Sequence, residues 1–165
     1  MRVYLPSNTT GLRDLVEAGS IGGGSTTAFA VTPGLREWYV DDSLEELEYA
    51  ATMEAARASL RLLDSSPSAA PRRVVLAADV PDEAVTVRDD LDRAVVRLPG
   101  PVAMSQIVAL HVDGPDAEPA VAAGAQAITA ADLGDAAAQD TVDDVEGFEL
   151  CWYASQEIAA FVELL

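Results

Sequence analysis

The chain has 165 residues, 50% of them apolar and 23% charged, and carries a formal net charge of −18. Those figures fit one globular domain, 1–165, with a core large enough to fold without staples. So acidic a chain lacks the cationic footprint that nucleic-acid phosphates or anionic lipids require, which argues against both as partners.

In chain order, residues 2–5 read as a strand that Pro6 stops. Asn8, Thr9 or Thr10 then caps a helix over about 11–18, and Gly19 ends it. The glycine-rich stretch at about 19–26 reads as a flexible loop, and Thr27–Val31 as a second strand. Thr32-Pro33 opens a helix, with threonine as cap and proline at the first helical position. A long helix follows over about 43–64, announced by the capping box of Ser43 and Glu46. Leu44, Leu47, Ala51, Ala55, Ala58 and Leu62 make one apolar stripe on it. Tyr49, Met53, Ala56, Leu60 and Leu63 make a second. A surface helix needs only one such stripe, so two sides of this helix must be covered. Either the rest of the domain wraps it, or Tyr49, Met53, Leu60 and Leu63 form the interface with a second subunit.

Arg72–Val80 reads as a strand apolar on both faces, hence central in a sheet. The Arg72-Arg73 pair at its mouth reads as solvated. A short strand at Ala84–Val87, another at 94–98 and a third at 107–113 follow. Gly114-Pro115 turns the chain into an alanine-rich helix that runs to about Ala127. Residues 134–147 are acidic and poor in large apolar side chains, and read as a mobile loop. A strand at about 148–153 and a helix capped by Ser155 close the chain. The whole reads as α+β: a mixed sheet of about five or six strands with the long helix packed on one face.

Candidate chemistry is sparse. The only cysteine is Cys151 and the only histidine is His111, so an intramolecular disulfide and a zinc site built from Cys and His are both excluded; no metal or cofactor is expected. All ten basic residues are arginine, which removes lysine Schiff bases and the phosphate-loop lysine. Gly19, Gly24 and Thr26 match the phosphate-loop spacing, but Ser25 stands where the lysine belongs and a helix precedes the segment. His111 and Asp113 lie two apart on one strand and therefore share a face, where an acid–base or ligand pair can form. Tyr153 and Glu157 are the residues best placed to join them. In the closing strand Glu149, Cys151 and Tyr153 share one face, while Phe148, Leu150 and Trp152 share the other, which reads as core.

No basic residue follows Arg97, so the C-terminal part carries most of the negative charge; it reads as a solvated acidic face and loop, with a docking surface for a basic partner or a weak divalent-cation site as the functional alternative. No segment approaches the ~18 apolar residues that a membrane span needs, and the first residues lack the apolar stretch of a signal peptide. The expectation is a cytoplasmic, non-enzymatic protein acting through a protein partner or as a homodimer. The alternative is an enzyme or small-ligand protein with its site at His111 and Asp113.

The segments RVYLP, VTP, LEYAA with AARASLRLL, RRVVLAADVP, ALHVD and CWYASQE resemble an uncharacterised, mostly actinobacterial family of small cytoplasmic proteins. The resemblance spans nearly the whole chain apart from the glycine-rich and acidic stretches. It implies a coding bias, rather than salt adaptation, as the origin of the lysine-free composition. It implies no activity and supplies no catalytic residue.

Overall fold

Side-chain caps open four of the six α-helices among the described residues. The computed structural model describes residues 1–39 and 43–165. After β1 (Arg2–Ser7), Asn8 accepts a hydrogen bond from the Gly11 amide and opens α1 (Thr9–Ala18). Gly19 closes that helix in the left-handed region, at φ 78°, and returns its N–H to the Leu15 carbonyl. β2 (Ser20–Ile21) and β3 (Thr26–Phe29) follow, and Thr32 caps α2 (Pro33–Trp38) by accepting from the Leu35 amide. Ser43 does the same for α3 (Leu44–Asp64) through the Glu46 amide. Then come β4 (Val74–Asp79), β5 (Thr86–Val87), β6 (Val95–Leu98), β7 (Val102–Ala103) and β8 (Ile107–Asp113). The chain ends with α4 (Glu118–Asp132), α5 (Ala136–Glu146), β9 (Leu150–Ala154) and α6 (Ile158–Glu163).

The α+β class holds. The main sheet has seven strands in the order β5-β6-β3-β1-β4-β8-β9, and β2 pairs with β7 in a separate ribbon. Every pairing is antiparallel, so the expectation of a mixed sheet of five or six strands is corrected. Both neighbours of β1 run opposite to it, so the alternation of strands and helices near the start brings no parallel pair into the sheet. One face of the sheet, with Val3, Leu5, Leu76 and Leu110, packs under α1 and α6 through Leu12, Leu15 and Ile158. The other face, with Tyr4, Phe29, Val75 and Ala109, packs under α3 through Leu47, Ala51 and Ala55. Ser59 interrupts that apolar side for a reason: its buried hydroxyl donates to the Ser7 carbonyl at 2.6 Å and accepts from the Val74 amide at 3.0 Å. It ties α3 to β1 and β4, and no buried polar atom of this side chain is left without a partner.

Residues 134–147 are not a mobile loop but mostly the helix α5. Asp135 caps it through the Ala138 amide at 2.9 Å, and Ala138, Val142 and Val145 recur at helical spacing against α4. Small side chains suffice because the helices approach closely: a Cβ on Gly124 would lie 2.5 Å from Val145 Cγ2. The α4–α5 hairpin covers Leu60 and Leu63 of α3, which are 2% and 6% exposed. These two members of the expected subunit interface are therefore internal. The stretch at about 19–26 is likewise only partly loop, since Ser20 and Ile21 pair with Ala103 and Val102. No helix among the described residues is long and apolar enough to cross a membrane.

Candidate functional site

β8 carries His111 and Asp113 on the α3 side of the sheet, as their spacing predicts, but their environments separate them. The Arg73 guanidinium clamps Asp113: Nε donates to Oδ2 at 2.9 Å and Nη2 to Oδ1 at 2.8 Å. The Arg73 amide adds a third bond to Oδ2 at 2.8 Å, and both side chains are essentially inaccessible. Arg73 Nη2 also donates to the Phe148 carbonyl at 2.8 Å, which fixes the segment leading into β9. The pair is thus a buried, doubly hydrogen-bonded cross-brace, and Arg73 is not the solvated residue its sequence context suggested.

His111 stands free of that brace. Among the described residues it makes no hydrogen bond, and it faces a cavity of about 420 Å³. The cavity lies between the sheet and α3 at the β9 end. Ala77, Ala109 and His111 form its floor, Glu48, Tyr49, Thr52 and Met53 its α3 wall, and Phe148, Glu149, Leu150 and Trp152 its β9 side. Arg2 and Tyr4 complete it from β1. The Tyr4 hydroxyl donates to Glu48 Oε2 at 2.9 Å, and burial together with that carboxylate pushes its pKa up to about 12. Arg2 is held by Asp79 through bonds of 2.6 and 3.2 Å. Burial, and then the charge of Arg2, push the His111 pKa below its ordinary value of 6.5, so the imidazole is neutral at pH 7.

The remaining sequence candidates lie elsewhere. Tyr153 points to the opposite face of the sheet, where its ring meets Phe161 with centroids 5.0 Å apart. Glu157 accepts the Ala154 amide at 2.9 Å, an end-capping role at the start of the last helix. Of that ligand set only His111 reaches the cavity. Tyr49 and Met53, the two residues of the expected subunit interface that the hairpin leaves uncovered, line it and also face a larger neighbouring groove of about 940 Å³. Trp152, expected in the core, is 62% exposed. It shares its face with Leu150, as the alternation predicts, but that face is not covered at Trp152, because β9 is the last strand of the sheet. The sequence marks neither Tyr4 nor Glu48 as a site residue, and it marks Phe148 only as core. The only signal for Tyr4 and Glu48 was polar tips on otherwise apolar faces.

Among the described residues no group of three or more His, Cys, Asp or Glu side chains is disposed to hold a metal ion. A family model of unknown function, DUF6912, matches residues 1–162. The chain belongs to that family. No curated protein and no solved structure matches it. In this chain the site is defined by geometry: an aromatic-lined cavity beside an exposed edge strand.

Proposed function

We propose that this DUF6912 chain is a non-enzymatic cytoplasmic binding module that takes an extended segment of a partner protein onto the edge of β9. The observation that carries the reading is the edge itself. β9, Leu-Cys-Trp-Tyr-Ala, is uncharged, contains no proline and, among the described residues, pairs only with β8. Ala154 gives its amide to Glu157, and by the alternation of an antiparallel ladder the Trp152 and Leu150 amides point the same way, outward. Natural edges are usually blunted by charge, proline or a bulge, and an uncovered apolar edge is a template for strand addition. The other edge, β5, is only two residues long.

The acidity of the chain favours a positively charged partner over a second copy, because two such bodies repel. Homodimerisation through the second stripe of α3 is also weakened, since Leu60 and Leu63 are already covered. The test uses an acetylated, amidated Val-Thr-Gln-Val-Thr peptide and amide NMR. Binding is expected to shift and protect the Leu150 and Trp152 amides, and Trp152→Pro, which removes an outward N–H, is expected to abolish it. Shifts that avoid β9 would overturn the reading. A dimer in sedimentation equilibrium that dissociates in Trp152→Pro would replace the partner with a second copy.

A small-ligand reading also has support, from the cavity. Asp113 is committed to Arg73, so the cavity presents His111 without the expected acid–base partner. What it offers is recognition.

A further inference from the structure

The cavity has a composition unlike that of the edge strand beside it. Its wall brings together the rings of Tyr4, Tyr49, Phe148 and Trp152, three of them on different elements and one on the segment entering β9. Two carboxylates, Glu48 and Glu149, line the same space. Among the described residues Arg2 is the one guanidinium lining the cavity, and Asp79 already neutralises it. His111 adds no positive charge at pH 7. The local balance is therefore negative, inside a chain of net charge −18. Aromatic faces attract cations through the ring quadrupole, and the attraction grows as the cation is desolvated. A volume of about 420 Å³ falls within the range of small-molecule pockets and exceeds what a bare metal ion needs.

We infer that this cavity is a binding site for an organic cation, an alkylammonium or guanidinium head, received by Tyr49 and Trp152 and neutralised by Glu48 and Glu149. Tyr49 and Trp152 are 54% and 62% exposed, so they form the mouth, while Tyr4 and His111 lie deeper. Met53 supplies an adaptable apolar contact at the α3 wall. Glu48 is oriented for this by Tyr4, whose hydroxyl occupies Oε2 and leaves Oε1 for the ligand. The head group can arrive free in solution or as an arginine or lysine side chain of a segment paired on β9. The free-cation case does not rest on the strand-addition reading.

The experiment follows Trp152 fluorescence in a Trp38→Phe chain, which removes the only other tryptophan. Choline is titrated against 3,3-dimethylbutan-1-ol, its uncharged isostere. A second pair of titrations uses Val-Thr-Arg-Val-Thr against Val-Thr-Gln-Val-Thr. The expected result is a preference of about ten-fold or more for the cationic member of at least one pair. That preference should be lost in Glu48→Gln/Glu149→Gln, a pair of changes that keeps shape and leaves Tyr4 an acceptor. Preference in the choline pair identifies a free cation, and preference in the peptide pair alone identifies a partner's side chain. Equal affinity within both pairs overturns the inference. Both peptides binding equally well would still leave the strand-addition reading standing, so the two fail separately. A preference that survives the double substitution overturns the site assignment.

Discussion

Leu60 and Leu63, in the C-terminal half of α3, lie against Val121, Ile128, Val142 and Val145 of the α4–α5 hairpin. Tyr49 and Met53, two turns and more earlier in the same stripe, face cavities. The helix is similar in character along its length; what differs is the cover. The hairpin buries Leu60 and Leu63 but leaves Tyr49 54% exposed at the mouth of the cavity. An apolar stripe therefore states a demand for burial, and chain segments far away in sequence decide where that demand is met. Where it is not met, the stripe becomes the wall of a site.

The largest expected effect breaks the sealed half. Arg73 holds both Asp113 and the Phe148 carbonyl, so it fixes the chain where the hairpin ends and β9 begins. Asp113→Ala leaves a buried guanidinium without its counter-charge, at a cost of about 3–5 kcal/mol by urea unfolding. The same brace fixes Phe148 at the cavity wall, so His111 resonances should move as well, without His111 having touched Asp113. A loss below about 1 kcal/mol would show that the pair is dispensable and that the hairpin is held by apolar contact alone.

A matched pair of substitutions sharpens the contrast along α3. Leu60→Ala is expected to cost about 2–5 kcal/mol, because it opens a void between α3, α4 and α5. Tyr49→Ala, at an exposed position, is expected to stay within about 0.5 kcal/mol. Equal costs would mean that the N-terminal half is covered in solution, as a dimer would cover it, and sedimentation at several concentrations would then show concentration-dependent mass.

How far the sequence disclosed these features varies by the physics involved. Caps are local, so Gly19, Thr32 and Ser43 read directly as helix boundaries, while the first cap narrows only to Asn8, Thr9 or Thr10 until the structure places it at Asn8. Alternation put His111 and Trp152 on definite faces of their strands, and those assignments hold: the two residues are register partners. Which face is covered is a tertiary property, and here reading ran out, taking Trp152 as core and Tyr153 as a ligand residue. α5 was missed because its apolar face is built from Ala138, Val142 and Val145 amid carboxylates, and small residues signal a packed face only once Gly124 is known to lie opposite. The strand pairing failed for a related reason, since strand direction depends on the path of long connections and not on strand composition. The cavity gathers Tyr4, Glu48, His111 and Trp152 from four separate elements, an assembly that no spacing rule encodes.

The smallest expected effect concerns the open half and its histidine. The groups facing His111 are Arg2 and Tyr4 from β1, Glu48 from α3 and Glu149 ahead of β9. Burial and Arg2 set the direction, lowering its pKa in the folded chain below the 6.5 expected unfolded. Between the two values the unfolded chain binds more protons, so acidification through about pH 6.5 removes stability until the folded value is passed, and the loss then levels off. The chain's 28 acidic residues also titrate on the acid side, so the total pH dependence is uninformative. The difference between wild type and His111→Gln isolates the histidine. Urea unfolding at pH 7.5 and pH 5.5 should show wild type losing more stability than the variant; an equal loss would mean that the imidazole is solvated and the cavity wider in solution. Choline in the cavity adds a neighbouring positive charge, so its binding should lower the His111 midpoint further, and an unchanged midpoint in bound protein would place the cation away from His111.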